Sequence, residues 1–284
     1  MVEIIGVVGA GTIGRGVAHS AAEAGYRVLL VDISEQVLQD AIGRVRKEAR
    51  SYRLLGSRGE KNRGDVVARI ETTCDYGRLA EADFVVENVV EDMEVKRTVY
   101  RELDRVCGPD VVLAANTSAV PVTAIGSWTQ RPEQVLGIHF MNPVPVKKTV
   151  ELIRGARTSE KSLATAQEVL TSLGKDWVLV EDSPGFVSNR VLMLAVNEAA
   201  FLVQERVASV EDIDKVFTSC FDHRMGMLET ADLIGLDTVL LSITMLWEQF
   251  GDSKYRPCPL LRKMVSAGEL GRKSGKGFYT YAVS

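Results

Sequence analysis

One stretch near the N-terminus constrains the fold more than any other. Residues 3–9, EIIGVVG, form a short β-branched run, and the glycine-rich turn GAGTIG follows directly. A helical pattern comes next and closes at Gly25, and YRVLLVDIS is a second strand pattern that ends in an acid. A strand, a helix and a strand within about thirty residues predict a parallel βαβ unit with a right-handed crossover.

The glycines of this turn have the spacing of a dinucleotide-binding site, and Asp32 ends the next strand, 23 residues after Gly9. The first glycine permits the tight bend, the second lets a pyrophosphate approach the backbone, and the third lets helix and strand pack closely. Free N–H groups at the helix N-terminus attract the phosphates. The predicted cofactor contacts in the turn are Gly9, Gly11, Thr12, Ile13 and Gly14.

The carboxylate of Asp32 indicates which dinucleotide binds. It can accept hydrogen bonds from the hydroxyls of the adenine ribose, and it would repel a 2′-phosphate. No arginine follows in DISEQ, so the sequence favours NAD over NADP. Two alternatives are FAD, whose proteins are usually longer, and a glycine-rich turn in some other α/β protein.

The remaining strand patterns alternate with helical ones. The strands DFVVENV, VVLAANTS and QVLGIHFMN are separated by helices such as MEVKRTVYRELDRV, and this order predicts a mostly parallel sheet covered on both faces. Residues 35–55 have helical periodicity, and a polar break at 56–64 precedes a second helical stretch. We therefore expect a helical-hairpin insertion. A helix around 159–173 and the strand DWVLVED complete this part.

From about residue 184 the pattern is helical only. The fold class is therefore a Rossmann-type α/β domain over residues 1–183, followed by an all-α domain over residues 184–284. Residues 191–203 are too apolar for a helix with one exposed face. We expect the second domain to form a wall of the substrate cleft and to pack on another subunit, as in a homodimer.

Composition excludes several other classes of protein. The formal net charge of −4 gives no general attraction to nucleic acid or to an anionic membrane. The four cysteines are widely spaced without a CxxC pair, so neither a metal site nor a disulfide framework is predicted. No apolar run has the ~20 residues that span a bilayer. The N-terminal run is too short and too rich in glycine for a signal peptide. These features predict a soluble cytoplasmic protein.

The segment GIHFMNPVPVKKTVELIRG contains one of only three histidines in the chain, His139, and one acid, Glu151. An imidazole can remove an alcohol proton near neutral pH, and a carboxylate can fix its tautomer. The two residues are equidistant from Pro145, so an antiparallel fold about this turn would place them opposite each other. The alternative is that His139 only ends a core strand.

Seven stretches together resemble the 3-hydroxyacyl-CoA dehydrogenase family, in its short bacterial 3-hydroxybutyryl-CoA dehydrogenase form. They span nearly the whole chain in the family's order, as GVVGAGTIGRGVA, VVENVVEDMEVK, NTSAVPVT, HFMNPVPVKKTVEL, DSPGFVSNR, ADLIGLDT and GRKSGKGFY. The resemblance implies NAD-dependent oxidation of the 3-hydroxyl of an acyl thioester to a 3-oxo group. Some proteins of this fold serve as structural crystallins with little catalytic role, and the matching active-site residues argue against that reading.

The resemblance also implies individual roles. His139 corresponds to the catalytic base and Glu151 to its partner, while Ser118 and Asn189 match residues at the substrate oxygen. The residues implied along the cofactor are Glu91, Lys96 and Asn116. From their positions alone, Ser118 and Asn116 could be turn residues after a strand, and Glu91 and Lys96 an exposed pair on a helix.

The group that carries the acyl chain is less clear from the sequence. Residues 44–63 contain eight basic side chains and two acidic ones, and Arg46, Arg50 and Arg53 share one helix face. This surface could dock CoA phosphates or an acidic acyl carrier protein, or be a solvated hairpin. Lys147, Thr149 and the stretch HRMGML (223–228) depart from the common family pattern. They suggest an alternative substrate, a glyceryl group on a carrier protein that yields hydroxymalonyl or methoxymalonyl extender units for polyketides.

Overall fold

The computed structural model describes residues 2–54, 65–118 and 120–282. The chain divides into two compact units, residues 1–183 and residues 184–284. The first unit contains a sheet covered by helices, and the second consists of helices. The predicted fold class is confirmed.

The first unit is built on one eight-stranded sheet in the order β3-β2-β1-β4-β5-β6-β7-β8. The strands are β1 (Ile4–Val8), β2 (Arg27–Val31), β3 (Ile70–Thr73), β4 (Phe84–Glu87), β5 (Val112–Ala115), β6 (Val135–His139), β7 (Thr149–Arg154) and β8 (Asp176–Glu181). Every neighbouring pair is parallel except β6 and β7, which are antiparallel. The central strands are buried apolar runs, as expected for a sheet with both faces covered.

Among the described residues, five helices belong to the first unit and five to the second. They are α1 (Thr12–Ala24), α2 (Glu35–Leu54), α3 (Met93–Val106), α4 (Val122–Gly126), α5 (Glu160–Ser172), α6 (Ser188–Gln204), α7 (Val210–Cys220), α8 (Met227–Ile234), α9 (Leu236–Phe250) and α10 (Pro259–Ser266). Helix α1 ends at Gly25, which adopts the left-handed conformation (φ 106°), as its position after the helical pattern predicts. Helix α3 is capped by Asp92, whose carboxylate accepts from the N–H groups of Glu94 and Val95.

We expected a second helix of the hairpin insertion after position 64, and this prediction is wrong. Residues 65–82 contain two short 3₁₀ turns, Val67–Arg69 and Tyr76–Glu81, on either side of β3. Strand β3 was not predicted because it has only four residues, and two of them are exposed. It pairs with β2 from Val28 opposite Ile70 onward, so a short edge strand replaces the expected helix. The polar break itself falls within residues 55–64, outside the described residues.

The second unit has a core of its own, whose fully buried members include Val196, Ile243 and Leu261. Helix α8 starts inside the HRMGML stretch and was not predicted as a separate helix. In the part of the chain that the structure describes, no single helix is long and apolar enough to cross a membrane. Helices α8 and α9 reach that length and hydropathy only when they are taken together, and the chain bends by 101° between them.

Candidate active site

The chain reverses between β6 and β7, and this reversal brings the predicted base and acid together. The antiparallel register places His139 opposite Glu151 and Ile138 opposite Leu152, so the predicted symmetry about Pro145 is confirmed. His139 Nδ1 lies 2.8 Å from Glu151 Oε2, and the two side chains are only 8% and 10% exposed. A carboxylate can only accept at this contact, so Nδ1 carries the proton and Nε2 of the neutral ring is an acceptor.

The second ring nitrogen of His139 faces a hydroxyl. Ser118 lies in the loop after β5, and its Oγ is 3.1 Å from His139 Nε2. Ser118, His139 and Glu151 therefore form a line of hydrogen bonds, with one partner at each ring nitrogen of the imidazole. Such an arrangement can accept a proton from an alcohol held beside Ser118.

Glu91 holds the loop that carries Ser118. Its Oε1 accepts from the N–H of Ser118 at 2.9 Å, from the N–H of Val120 at 3.1 Å and from Thr117 Oγ1 at 2.5 Å. Glu91 precedes α3, which starts at Met93, so the alternative of an exposed pair on a helix is wrong. A charged carboxylate that accepts from three donors makes this loop rigid.

Lys96 is fully buried on α3 and belongs to a network that the sequence did not reveal. Its Nζ donates to both carboxylate oxygens of Glu87 at 2.9 Å and to the backbone carbonyl of Asn116 at 3.2 Å. Burial raises the pKa of Glu87 to about 7, although the ammonium of Lys96 opposes that shift. The one available signal was an acid at the end of an apolar strand, VVE.

Asn116 connects two strand ends at the same edge of the sheet. Its Oδ1 accepts from the N–H of Phe140 at 3.2 Å, and its own N–H donates to the carbonyl of Glu87 at 2.8 Å. The side chain therefore ties the end of β5 to the residue after His139. This contact gives Asn116 a place in the site whether or not it reaches a cofactor.

The glycine turn fits a dinucleotide phosphate. Gly9 has φ +92°, and a Cβ on Gly14 would lie 1.8 Å from the carbonyl oxygen of Gly9, so neither position accepts a side chain. A Cβ on Gly11 would meet nothing within 4 Å, which leaves open space above the start of α1. Among the described residues no side chain caps this helix, and its first turn, with Thr12 and Ile13, contains no acid. The helix N-terminus can therefore receive an anion.

Asp32 is tied to the same turn from the end of β2. Its Oδ2 accepts from the N–H of Ala10 at 2.8 Å, and its Oδ1 accepts from the N–H of Ser34 at 3.2 Å. Each carboxylate oxygen can accept more than one hydrogen bond, so the ribose hydroxyls remain possible donors. The acid is thus held in the position that an NAD site requires.

The remaining predicted residues lie on other elements of the described structure. Asn189 is the second residue of α6 in the second unit. Lys147 is exposed in the turn between β6 and β7, and Arg46 is exposed on α2. The side chains of Arg50 and Arg53 lie outside the described residues. The predicted carrier-docking surface therefore stays a prediction.

A mostly parallel sheet, a glycine turn and an acid at the end of β2 define a dinucleotide-binding domain. Family models identify it further: residues 4–183 match the "3-hydroxyacyl-CoA dehydrogenase, NAD binding domain" and residues 185–281 match the C-terminal domain of that family. The chain belongs to the 3-hydroxyacyl-CoA dehydrogenase family, and its cofactor is NAD.

Individual relatives cover nearly the whole chain. A probable 3-hydroxybutyryl-CoA dehydrogenase of Bacillus subtilis (strain 168) is 46% identical over 97% of this chain and 96% of its own length. A 3-hydroxybutyryl-CoA dehydrogenase of Bradyrhizobium diazoefficiens is 42% identical over 99% of this chain and 96% of its own length. Among solved structures, (S)-3-hydroxybutyryl-CoA dehydrogenase PaaH1 of Ralstonia eutropha has a TM-score of 0.95, with 38% identity and 100% coverage of both chains.

Proposed function

We propose that this protein oxidises the 3-hydroxyl of a short 3-hydroxyacyl-CoA to a 3-oxo group, with reduction of NAD⁺. The observation that carries the proposal is the line of Ser118, His139 and Glu151 in a domain with an NAD-binding glycine turn. Relatives that are 38–46% identical and are named 3-hydroxybutyryl-CoA dehydrogenases support a short acyl chain.

The reacting proton is handled by His139. Its Nε2 accepts the proton of the substrate hydroxyl, and the electrons of that O–H bond form the second C–O bond as the C3–H bond breaks. Bound NAD⁺ supplies the acceptor for the hydride that leaves C3. Glu151 stabilises the imidazolium that forms, because its carboxylate lies 2.8 Å from Nδ1. In the reverse direction the imidazolium returns the proton to the 3-oxo oxygen.

Ser118 and Asn189 are proposed to hold the reacting oxygen. For Ser118, the support is that its hydroxyl already lies 3.1 Å from His139 Nε2, where a substrate hydroxyl must come. For Asn189, the support is the family resemblance alone.

Three groups of residues are proposed to bind or shape the cofactor site. Gly9 to Gly14 would receive the pyrophosphate and Asp32 the adenine ribose. Lys96 contacts both Glu91 and Asn116, and Glu91 holds the loop that carries Ser118. Their proposed effect on the cofactor is therefore to keep that edge of the sheet rigid.

Partners and assembly are further parts of the proposal. We assign the acyl carrier to CoA, because the named relatives are CoA enzymes. We also propose a cytoplasmic homodimer. Large apolar side chains of the second unit are exposed, with Val191 at 64%, Phe221 at 62% and Leu241 at 54%, and a partner subunit would cover them.

Turnover assays test the activity. The purified protein with NAD⁺ should produce NADH from 3-hydroxybutyryl-CoA, and far less when NADP⁺ replaces NAD⁺, because Asp32 would repel the 2′-phosphate. Glyceryl-acyl carrier protein serves as the parallel substrate. Turnover with the carrier-bound substrate alone would refute the CoA assignment, and turnover with neither would refute the dehydrogenase proposal. Light scattering on the same preparation should give the mass of a dimer, and a monomer mass would refute the assembly.

A further inference from the structure

A second buried lysine lies in the first unit, away from the Glu87–Lys96 pair. Lys175 stands between α5 and β8 and is 3% exposed. Its backbone N–H donates to the carbonyl of Leu170 at 2.9 Å, which fixes the residue against the end of α5. An ammonium is removed from water only where polar atoms replace its hydration, so its contacts indicate what this charge is for.

The ammonium of Lys175 binds the turn between β6 and β7. Its Nζ donates to the carbonyl of Val144 and, at 2.6 Å, to the carbonyl of Lys147. These two carbonyls belong to opposite sides of one turn, in which the N–H groups of Val146 and Lys147 donate to the carbonyl of Pro143 at 3.0 Å. Charge-assisted bonds of this kind are stronger than bonds between neutral groups.

This turn connects the two members of the candidate catalytic pair. His139 is the last residue of β6, and its partner across the strands is Glu151 on β7. The turn also packs closely against helix α1. Val144 is 2% exposed, and a Cβ on Gly16 would lie 2.8 Å from Val144 Cβ. A change in the turn would therefore reach the last paired residues of both strands.

We propose that Lys175 is a positioning residue for the His139–Glu151 pair. Its ammonium closes the turn at residues 143–147 and so keeps the two strand ends in register. Without it, the carbonyls of Val144 and Lys147 lose a charged donor, and the imidazole loses its alignment between Glu151 and Ser118. The inference rests on the proposed function, because that function makes His139 the base.

The test compares three substitutions in the full-length protein. Lys175→Met keeps most of the side-chain length and removes every donor, and Lys175→Arg keeps a charged donor. Lys161→Met is the matched control, because the side chain of Lys161 is 81% exposed on α5. The measured quantity is kcat per NAD-binding site with 3-hydroxybutyryl-CoA, so unfolded molecules are not counted.

We expect Lys175→Met to lower kcat per NAD-binding site by about tenfold or more, the effect of losing a hydrogen bond to a charged group. Lys175→Arg should recover part of that loss, the KM for NAD⁺ should change by less than about twofold, and Lys161→Met should resemble the wild type. An unchanged kcat per site in Lys175→Met would overturn the proposal, since a residue that only stabilises the fold would give that result. If Lys175→Met binds no NAD, Lys175→Gln, which keeps a neutral donor, replaces it.

A spectroscopic readout separates this inference from the proposed function. The chain has three histidines, so isotope-labelled histidine allows the Nδ1 proton of His139 to be followed by NMR. In the wild type and in Lys161→Met, the hydrogen bond to Glu151 should protect the Nδ1 proton from exchange with water, so its resonance is observed. In Lys175→Met the resonance should be lost or shifted. An unchanged resonance would overturn the positioning role. An inactive wild type would refute the proposed function instead, and the resonance would still decide the role of Lys175.

Discussion

Two buried acid–base pairs lie in the first unit and differ in what else they contact. In the first pair, Glu87 and Lys96 are both 0% exposed, and the ammonium uses its three donors on the two oxygens of Glu87 and on the carbonyl of Asn116. Both partners are therefore saturated by protein atoms. A pair of this kind can hold β4, α3 and β5 together, but it presents nothing to a substrate.

In the second pair, His139 contacts Glu151 through one ring nitrogen, Nδ1. The other nitrogen faces the hydroxyl of Ser118, a group that can share its position with a substrate hydroxyl. Its side chains are also slightly exposed, at 8% and 10%. The comparison indicates that burial of an acid with a base does not by itself define a catalytic site. The orientation of the second polar atom decides between a structural and a chemical role.

The largest expected effect comes from the second pair. His139→Gln should lower kcat by about 10²–10⁴-fold, the usual contribution of a positioned base. The free energy of unfolding should change by less than about 1 kcal/mol, because glutamine can still donate to Glu151. NADH formation and thermal unfolding of the same samples measure the two quantities. Undiminished turnover would show that His139 is not the base.

The first pair should respond in the opposite way. Lys96→Met leaves the carboxyl of Glu87 buried without its ammonium, so we expect a loss of about 3–5 kcal/mol in the free energy of unfolding. Chemical denaturation measures this loss. The value of kcat per folded molecule, with folded molecules counted by NAD binding, should stay within about tenfold of the wild type.

A double variant controls for packing at the first pair. Glu87→Leu combined with Lys96→Met replaces both charges with apolar groups, and it should recover most of the stability that Lys96→Met loses. If the double variant is no more stable than Lys96→Met, the loss arises from packing of the lysine side chain and not from an uncompensated charge.

The sequence predicted the second pair better than the first, for a physical reason. His139 and Glu151 are joined by one short turn, so symmetry about Pro145 was enough to predict their register. Glu87 ends strand β4, Lys96 lies on helix α3, and Asn116 follows strand β5. No periodic pattern records their meeting, and only the order of the strands in the sheet brings them together.

Other elements were missed because their patterns are short or ambiguous. Strand β3 has only four residues and no apolar alternation, and it forms because β2 offers an edge to pair with. Lys175 lies in the polar stretch GKD between a helix and a strand, a pattern typical of a solvated loop. Its burial depends on the turn at residues 143–147, about thirty positions earlier.

The smallest expected effect is a difference in how the two pairs respond to pH. Burial raises the pKa of Glu87 from 4.5 to about 7 in the folded protein. The folded protein therefore binds this proton more tightly than the unfolded chain does. The contribution of the carboxyl to stability is fully present below about pH 4.5, and it is lost as the pH rises through about 7.

In the variant with both Glu87→Leu and Lys96→Met, this contribution is absent at every pH. The wild type should thus lose stability relative to that variant, by on the order of 1 kcal/mol per pH unit or less across this window. Denaturant unfolding of both proteins at several pH values measures the difference. Parallel stability curves would mean that Lys96 keeps Glu87 ionised throughout, and that the first pair is a permanent ion pair.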